Sequence, residues 1–489
     1  MKQINKTYSG TVSQEKSARE IANRTLARKA AAESIVLLQN DGVLPLKAGA
    51  RVALFGSGAM HTIKGGTGSG DVNEREVVSV YQGLKDSGVI IANEGWLYDY
   101  DSAYRREKEN WKQTILKSGA DTEDPRALLH AYLHTKFDAP IGRPMTPQEI
   151  ASADTDTAIY VLSRNAGEGV DRRAVEGDYY LTVEERQKLA EINQAFSRLI
   201  IVLNCGGPVD LGFMDGLRLS ALIQLSQPGM EGGHALADVI IGAVTPCGKM
   251  TDTWARRYED YPNAATFSHR SGDLSKELYT DGIYVGYRYF DTFGIKPRIP
   301  FGFGLSYTAF ALKTKRFMLG TAGSGEPSVT VHVEVTNTGS RYAGREVVQV
   351  YASCPQGRQK KEYQRLCAFG KTPLLAPGER CTLVLSFPVC QLASFSEDNS
   401  AYVLEAGDYL IAVGNSAASN DVVGVLSFDE TAILSRVAHV CPLRQPLRKI
   451  EPETVPCKPC KDVPVVRLHA ADIPTDTADY RSSSADFSA

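Results

Sequence analysis

DTAIYVLSR (residues 156–164) and RLIIVLNCG (residues 198–206) decide the fold of this chain. Both are short, nearly continuous apolar runs, and TVEERQKLAEINQAF (residues 182–196) between them has the apolar spacing of a helix. Such strands separated by helices are typical of a parallel sheet that is covered on both faces. Thr182 and Glu185 have the spacing of a capping box, which predicts the start of the helix.

The same alternation of helices and apolar strands extends toward the N-terminus. Residues 17–40 have helical apolar spacing and end at an Asp-Gly turn, and RVALFGSGA (residues 51–59) predicts a buried strand that opens into a glycine loop. Residues 75–89 predict a further amphipathic helix, and a charged, tyrosine-rich insertion follows at about residues 98–150. We therefore expect an α/β fold, a three-layer sandwich with a mostly parallel sheet, over residues 18–255.

The second half of the chain has the periodicity of an all-β domain. From about residue 325, apolar and polar residues alternate, as in SVTVHVEVTN (residues 328–337), and turn residues separate the runs. Short strands without helices predict a β-sandwich of immunoglobulin-like type over residues 325–435. The remaining parts are an N-terminal extension (residues 1–17), an aromatic and glycine-rich connector (residues 256–324), and an extended tail (residues 436–489).

Composition and charge exclude several classes of function. A formal net charge of -3 argues against a nucleic-acid or anionic-membrane partner, and small neutral ligands fit better. The chain has no apolar run of the roughly 18 residues that cross a bilayer, and its N-terminus lacks a signal-peptide core. Its nine cysteines are spread along the chain, so reduced thiols and a cytoplasmic location are expected. Cys457 and Cys460 have zinc-site spacing without a second pair, so neither metal nor cofactor is expected.

One acidic loop is the first candidate for a functional site. Glu168 lies between Gly167 and Gly169 directly after the strand at residues 156–164, where a flexible backbone presents the side chain outward. This placement suits a general acid, and it is also common for a solvated loop carboxylate. Asp171, Arg172 and Asp178 follow, and we expect them to form a local ion-pair set that shapes the loop.

A glycine-rich loop is the second candidate. KGGTGSGDVN (residues 64–73) follows the strand at residues 51–59 and lets backbone N–H groups approach a ligand. Its spacing lacks the Gly-Lys-Ser or Gly-Lys-Thr ending of a P-loop and the full dinucleotide fingerprint. A tight structural loop or a sugar-site loop is therefore favoured over a nucleotide site. The candidate binding residues in this loop are Lys64, Gly65, Gly66 and Thr67.

Three further side chains stand near loops as isolated candidates. His61 and His234 are each more typical of structural histidines than of metal ligands. Cys205, at the end of an apolar strand, is more typical of a buried structural thiol than of a nucleophile.

Six stretches between about residues 18 and 430 resemble, in this order, the non-barrel part of glycoside hydrolase family 3, the β-glucosidase group. They are LARKAAAESIVLLQNDGVLPL (26–46), KGGTGSGDVN (64–73), RNAGEGVDRRAVEGDYYLT (164–182), QPGMEGGHALADVIIGAVTPCGKMTDTW (227–254), DGIYVGYRYFDTFG (281–294) and IPFGFGLSYTAF (299–310). The resemblance implies an α/β sandwich followed by a fibronectin type III-like sandwich. It also implies that Glu168 is the acid/base residue of a retaining β-glucosidase. We expect Asp171 and Arg172 to set the field and position of Glu168 and to be substrate-binding residues, and we expect the glycine loop to border the sugar pocket.

The resemblance further implies a second catalytic carboxylate outside this sequence. In this family the nucleophilic aspartate belongs to a (β/α)8 barrel, and retaining enzymes need the two carboxyl groups about 5 Å apart. A tail of about 50 residues is too short for a barrel, which takes about 250 residues. We expect a terminal β-glucoside as substrate and a partner barrel on a separate polypeptide. The alternative is a non-catalytic remnant or a carbohydrate-binding and interaction module.

Two positions depart from the family pattern. Leu225 stands where the family often has tryptophan, and Asp281 stands where it usually has glutamate. Both departures concern contacts to the leaving group, or aglycone, and leave the expected fold unchanged.

Overall fold

The computed structural model describes residues 15–120, 126–168, 171–270, 272–273, 275–321, 325–438 and 445–476. Over these ranges the α-helices are α1 Ala18–Ser34, α2 Ser57–Met60, α3 Val80–Asp86, α4 Glu94–Ala120, α5 Arg126–His134, α6 Pro147–Ser152, α7 Val183–Ala195, α8 Gly232–Ile240 and α9 Tyr287–Thr292. The strands of the first domain are β1 Val36–Asn40, β2 Arg51–Phe55, β3 Ile90–Ile91, β4 Thr157–Arg164, β5 Arg198–Cys205 and β6 Leu219–Gln224. The later strands are β7 Phe310–Thr321, β8 Pro327–Asn337, β9 Val347–Ser353, β10 Arg365–Lys371, β11 Arg380–Pro388, β12 Ser394–Ser396, β13 Ala401–Leu404, β14 Gly407–Ser416, β15 Ser419–Phe428, β16 Ala432–Arg436 and β17 Val465–Leu468.

The first domain is built on a six-stranded sheet with the strand order β1-β6-β5-β4-β2-β3. Strand β1 is antiparallel to β6, and the other neighbouring strands run parallel. Residues 157–162 of β4 and residues 199–205 of β5 are all buried, because helices cover both faces of the sheet. The prediction of an α/β sandwich with a mostly parallel sheet is confirmed.

The first helix is shorter than its apolar spacing predicts. It ends at Ser34, Ile35 has an extended conformation, and residues 36–40 form β1 rather than a continuation of the helix. Three consecutive apolar residues, Val36–Leu38, are buried against the sheet. A short apolar run suits a buried strand as well as a helix, so the spacing alone did not locate this boundary.

The helix predicted over residues 75–89 is also shorter. It covers only α3, and its N-cap is Ser79, whose side chain accepts a hydrogen bond from the backbone N–H of Gln82. The preceding residue, Val78, donates its backbone N–H to the Met230 carbonyl at 2.9 Å. This extended contact replaces the first helical turn. The start predicted for α7 is confirmed, since Thr182 and Glu185 form the capping box.

The second domain is an all-β sandwich, as predicted. One sheet has the order β10-β9-β14-β15-β17, a second has the order β11-β8-β7, and a small third sheet has the order β12-β13-β16. The inward-facing residues Val329, Val331, Val333 and Val335 of β8 are 0–1% exposed and belong to the core of this domain. Buried and partly exposed residues alternate along β8 because successive side chains lie on opposite faces of the sheet.

Two strands lie outside the range predicted for the sandwich. Strand β7 lies within the predicted connector and pairs with β8 along its whole length. Basic residues interrupt the apolar pattern of β7, as is typical of an edge strand, so no strand was expected in this segment. Strand β17 lies within the predicted tail and runs parallel to β15. The sandwich thus begins before residue 325, with β7, and it includes β17 from the segment after residue 435.

The two domains are joined by a buried ion pair. The Lys249 ammonium lies 2.8 Å from the Glu346 carboxylate, and it also donates a hydrogen bond to the Gly304 carbonyl. Trp254 is 1% exposed, and its backbone N–H donates to the Ile299 carbonyl at 2.9 Å. The ion pair therefore links the α/β domain to the sandwich, and the hydrogen bonds accepted by the Gly304 and Ile299 carbonyls hold the connector against the α/β domain.

None of the helices in the described ranges combines the length and the apolar character that crossing a bilayer requires. The eight cysteines in these ranges are all free thiols.

Candidate active site

The two candidate loops meet at one edge of the parallel sheet. The glycine loop (residues 64–73) lies between β2 and α3, and the acidic loop (residues 165–181) follows β4. Strands β2 and β4 are parallel neighbours, so the segments that leave their carboxyl ends emerge side by side. Ligands of open α/β sheets bind outside the carboxyl ends of the strands, which makes this edge the expected place for a site.

Glu168 is exposed and is oriented by the glycine loop. Its backbone N–H donates to the Thr67 carbonyl at 2.8 Å, and the Ser69 hydroxyl donates to Glu168 Oε1 at 2.6 Å. One carboxylate oxygen is therefore held by a hydroxyl group, and the side chain faces solvent. The structure brings Glu168 to the glycine loop, while Gly169 lies outside the described residues.

The backbones of the two loops approach so closely that glycine is required. A Cβ atom on Gly66 would lie 2.1 Å from the Ala166 carbonyl oxygen, and one on Gly167 would lie 2.2 Å from the Thr67 backbone nitrogen. Asn165 adds a side-chain contact, since its Nδ2 donates to Thr67 Oγ1 at 2.9 Å. Gly66 and Thr67 therefore hold the acidic loop in place, in addition to being candidate sugar-binding residues.

Two amides that the sequence reasoning missed hold the backbone next to the two loops. Asn204, at the end of β5, is fully buried and bonds both the backbone N–H and the carbonyl of Ile63, at 2.7 and 2.9 Å. It also donates to the Ser226 carbonyl at 2.7 Å. Gln227 accepts the backbone N–H of Ala166 at 2.9 Å. The available signal was a polar amide near the carboxyl end of each of two apolar strands, with Asn204 inside β5 and Gln227 three residues after β6.

Lys64 closes the glycine loop on itself. Its ammonium donates to the Glu74 carboxylate and the Val72 carbonyl, and Asp71 lies 3.3 Å away. Burial lowers the pKa of Lys64, but the hydrogen bonds with Glu74 and Asp71 outweigh it and leave the pKa raised. A Cβ atom on Gly65 would lie 2.3 Å from the Gly70 carbonyl oxygen, so the loop is tight at both ends. The Lys64 ammonium is thus bonded to the loop and to Glu74.

The predicted ion-pair set forms only in part. Arg172 pairs with Asp178 at 2.9 Å and donates to the Asn165 carbonyl at 3.2 Å, which ties the two ends of the acidic loop together. Asp178 also lies 3.5 Å from Arg173. Asp171 is exposed and has no ion-pair partner among the residues that the structure describes. Asp171 therefore takes no part in the ion pairs among the described residues, which correct the prediction by joining Asp178 to Arg172 and Arg173.

Cys205, His61 and His234 each have contacts that are typical of structural side chains. Cys205 is fully buried, and burial raises the pKa of its thiol to about 11, as a structural thiol requires. His61 stacks on Tyr104 with ring centroids 3.6 Å apart, and burial lowers its pKa although nearby Asp101 opposes the shift. His234 lies in hydrogen-bond distance of the carboxylates of Glu231 and Asp86. None of these side chains joins Glu168.

The remaining positions take part in packing or stay exposed. Leu225 is buried in the core of the α/β domain. Asp281 accepts a hydrogen bond from Asn263, and burial raises the pKa of its carboxyl group. Cys457 and Cys460 are exposed. Within the described ranges, no group of three or more histidine, cysteine or acidic side chains is arranged to hold a metal ion.

Comparison with known proteins identifies both domains. Residues 35–287 match the family model described as the glycosyl hydrolase family 3 C-terminal domain, and residues 346–417 match a fibronectin type III-like domain. The chain is 35% identical over 435 residues to β-glucosidase A of Butyrivibrio fibrisolvens, which covers 80% of this chain and 49% of that protein. It is 33% identical over 468 residues to a β-glucosidase of Ruminococcus albus, with coverages of 91% and 45%.

The fold has a similar match among solved structures. A β-glucosidase from Paenibacillus barengoltzii superposes with a TM-score of 0.73 at 36% identity, over 85% of this chain and 45% of that one. The present chain thus spans about half the length of the curated relatives that it matches.

Proposed function

Because this chain belongs to glycosyl hydrolase family 3, we propose that it carries the acid/base half of a retaining β-glucosidase, with Glu168 as the proton donor. One observation supports this role above the others. Glu168 is an exposed carboxylate of the acidic loop, and the glycine loop orients it through the Thr67 carbonyl and the Ser69 hydroxyl. A general acid must be both accessible and fixed, and this arrangement supplies both properties.

The proposed chemistry has two steps. In the first, protonated Glu168 gives its proton to the glycosidic oxygen while a second carboxylate attacks the anomeric carbon and the leaving group departs. In the second, the Glu168 carboxylate takes a proton from the water that attacks the glycosyl-enzyme bond, which restores both groups. The second carboxylate is proposed to come from a (β/α)8 barrel outside these residues.

The other candidate residues have supporting roles in this proposal. The backbone of Gly65, Gly66 and Thr67 borders the sugar pocket, and Lys64 keeps that loop closed. Asp171, which is exposed and unpaired within the described ranges, is available to a sugar hydroxyl. Arg172 and Asp178 set the shape of the acidic loop. The proposed substrate is a terminal β-glucoside, and no step requires a cofactor.

We further propose a cytoplasmic location. The support is that the cysteines in the described ranges are free, including exposed Cys390, Cys457 and Cys460. Exposed thiols persist in reducing compartments, whereas secreted proteins tend to oxidise them.

The test combines this chain with a barrel domain that carries the nucleophile and measures hydrolysis of phenyl and dinitrophenyl β-glucosides. We expect Glu168→Ala to lower kcat/KM for phenyl β-glucoside by about 10²–10⁴-fold, because phenolate departs slowly without a proton. Dinitrophenolate needs no proton to depart, so its glucoside should lose much less in the first step. Added azide, which attacks without base assistance, should restore turnover of the dinitrophenyl substrate and yield a glucosyl azide.

The matched control is Glu176→Ala, which removes a carboxylate from the same loop that pairs with Arg186 instead. It should keep most of the activity on both substrates. Equal losses on both substrates without azide rescue would contradict the acid/base role of Glu168. Absence of hydrolysis with every barrel tried would favour a carbohydrate-binding or interaction role.

A further inference from the structure

Helix α5 carries two neighbouring histidines on one face. His130 and His134 lie four positions apart, so one turn of the helix places their side chains next to each other. Their ring centroids are 4.1 Å apart, and the ring planes are inclined by 46°. Both residues are exposed. The pair is therefore accessible from solvent, and its two imidazoles are close enough to act on the same ligand.

The ring nitrogens of this pair are not used by the rest of the protein that the structure describes. Across the described ranges, neither the His130 nor the His134 imidazole takes part in a hydrogen bond or an ion pair. By contrast, His234 lies in hydrogen-bond distance of two carboxylates, and His469 lies in hydrogen-bond distance of Asp429. Neutral imidazole is the commonest metal ligand in proteins, so an unused pair can bind a metal ion.

The separation of the two rings suits chelation of one ion. A zinc ion binds an imidazole nitrogen at about 2.0–2.1 Å, so two nitrogens on one ion lie at most about 4 Å apart. Rings with centroids 4.1 Å apart reach this arrangement by small rotations, which exposed side chains make readily. The same spacing of two histidines on a helix binds zinc in metalloproteases. Residues 131–133 lack the glutamate of that motif, so the spacing indicates binding without hydrolysis.

The surroundings of the pair leave room for the other ligands of the ion. The two histidines line a groove between α4 and α5, together with the polar residues Ser118, Arg126 and Thr135. Among the described residues, no acidic or thiol side chain lines this groove, so protein ligands other than the two imidazoles are not expected there. Water completes the coordination of the ion. The positive charge of Arg126 opposes cation binding and limits the affinity.

From this geometry we infer that His130 and His134 form a two-histidine site for a divalent transition metal. Imidazole suits copper, nickel and zinc, and Cu²⁺ binds such ligands more tightly than Ni²⁺ or Zn²⁺. The hard cations Mg²⁺ and Ca²⁺ prefer oxygen ligands and should not bind. A bound ion clamps the last turn of α5. The inference goes beyond the proposed hydrolysis and does not depend on the role of Glu168.

Quenching of tryptophan fluorescence by Cu²⁺ tests the site on the full chain. The Trp111 indole N–H donates at 2.7 Å to the carbonyl of Thr135, the residue after His134, so bound copper should quench its emission. The other two tryptophans, Trp96 and Trp254, are 2% and 1% exposed. Exposed thiols are first alkylated with iodoacetamide, because thiolates also bind copper. We expect saturable quenching that EDTA reverses and that Trp111→Phe abolishes. Zn²⁺ should compete with Cu²⁺, whereas Mg²⁺ should not.

Histidine variants assign the ligands. His130→Asn and His134→Asn should each weaken Cu²⁺ binding by about 10–100-fold, because the second ligand of a chelate binds at a high effective concentration. His469→Asn is the matched control, since it removes an exposed imidazole that pairs with Asp429 instead. It should bind Cu²⁺ as the unaltered chain does. Far-UV circular dichroism should be the same for all of these proteins, so that a loss of binding reports the ligands rather than the fold.

Three outcomes would overturn the metal site. The first is the absence of saturable quenching by Cu²⁺, and the second is equal Cu²⁺ affinity in His130→Asn, His134→Asn and the unaltered chain. The third concerns anions, which would need protonated imidazoles beside Arg126. If inorganic phosphate without metal raises the urea midpoint of the unaltered chain but not of His130→Asn, the groove is an anion site instead.

Discussion

Glu168 illustrates what a sequence conveys about a single residue. The flanking glycines and the preceding strand placed it on an exposed loop, which the structure confirms. Its partners Thr67 and Ser69 lie about 100 residues earlier in the chain, and Asn204, which supports their loop, lies on another strand. Contacts of this kind depend on how strands are arranged in the sheet, and no local pattern reports them.

The close approach of the two loops makes Gly66 sensitive to substitution. In Gly66→Ala, the new Cβ atom would meet the Ala166 carbonyl oxygen at 2.1 Å, so one loop must move. We expect a loss of about 1–3 kcal/mol in the free energy of unfolding, measured by urea denaturation, and a loss of Glu168-dependent hydrolysis.

Gly95→Ala is the control for this substitution. Gly95 lies in α4, and a Cβ atom there would meet no atom within 4 Å. Alanine is the better helix former, so stability should stay equal or rise by up to about 1 kcal/mol. A Gly66→Ala protein as stable as the unaltered one would contradict the backbone contact described above.

At the scale of elements, capping signals were more reliable than apolar spacing. Thr182 and Glu185 marked the start of α7 correctly, because a capping box satisfies specific backbone N–H groups. Apolar spacing extended the first helix into residues 36–40, which form β1. Those residues are apolar because they lie against the sheet, and burial is equally compatible with a helix and a strand.

The N-cap of α7, Thr182, directly follows the acidic loop, so this cap fixes the end of the loop that carries Glu168. In Thr182→Ala, the Glu185 backbone N–H loses its acceptor, and we expect a loss of about 1 kcal/mol in the free energy of unfolding. The urea midpoint measures this loss. Thr114→Ala, at an exposed site within α4, should shift the midpoint by much less. Equal shifts would show that the Thr182 cap contributes nothing specific.

At the scale of the whole molecule, the order and type of the two domains followed from periodicity, whereas the path of the tail did not. Lys458 is 7% exposed and donates to the side chains of Gln364 and Asn420. Gln364 also donates to Asp291 of α9 at 2.7 Å. This cluster joins the connector, the sandwich and the tail through residues that are far apart in sequence, so composition predicted only an extended segment.

The same cluster predicts a dependence of stability on pH. Burial raises the pKa of Asp291 to about 6, although the Gln364 hydrogen bond and the Lys458 charge oppose the shift. The folded protein therefore binds a proton that the unfolded chain releases near pH 4. The contribution of protonated Asp291 to stability is full below about pH 4 and is lost as the pH rises through about 6, a change of about 2–3 kcal/mol.

Urea unfolding between pH 4 and pH 6.5 measures this effect. Asp291→Asn removes the titrating group, so its stability relative to the unaltered protein should rise across this interval. Asp408→Asn, which changes an exposed carboxyl group of β14, should follow the unaltered protein at every pH. Parallel pH profiles for Asp291→Asn and the unaltered protein would be incompatible with a raised pKa at this position.

The parallel strand β17 has a consequence for behaviour at high concentration. Without it, the long strand β15 would present a free row of backbone N–H and carbonyl groups, which is a template for pairing between molecules. Strand β17 pairs with Val425–Phe428 of this row, and the Pro464 that precedes β17 donates no hydrogen bond. The segment after the sandwich thereby shields residues 425–428 of β15 from pairing with the strand of another molecule.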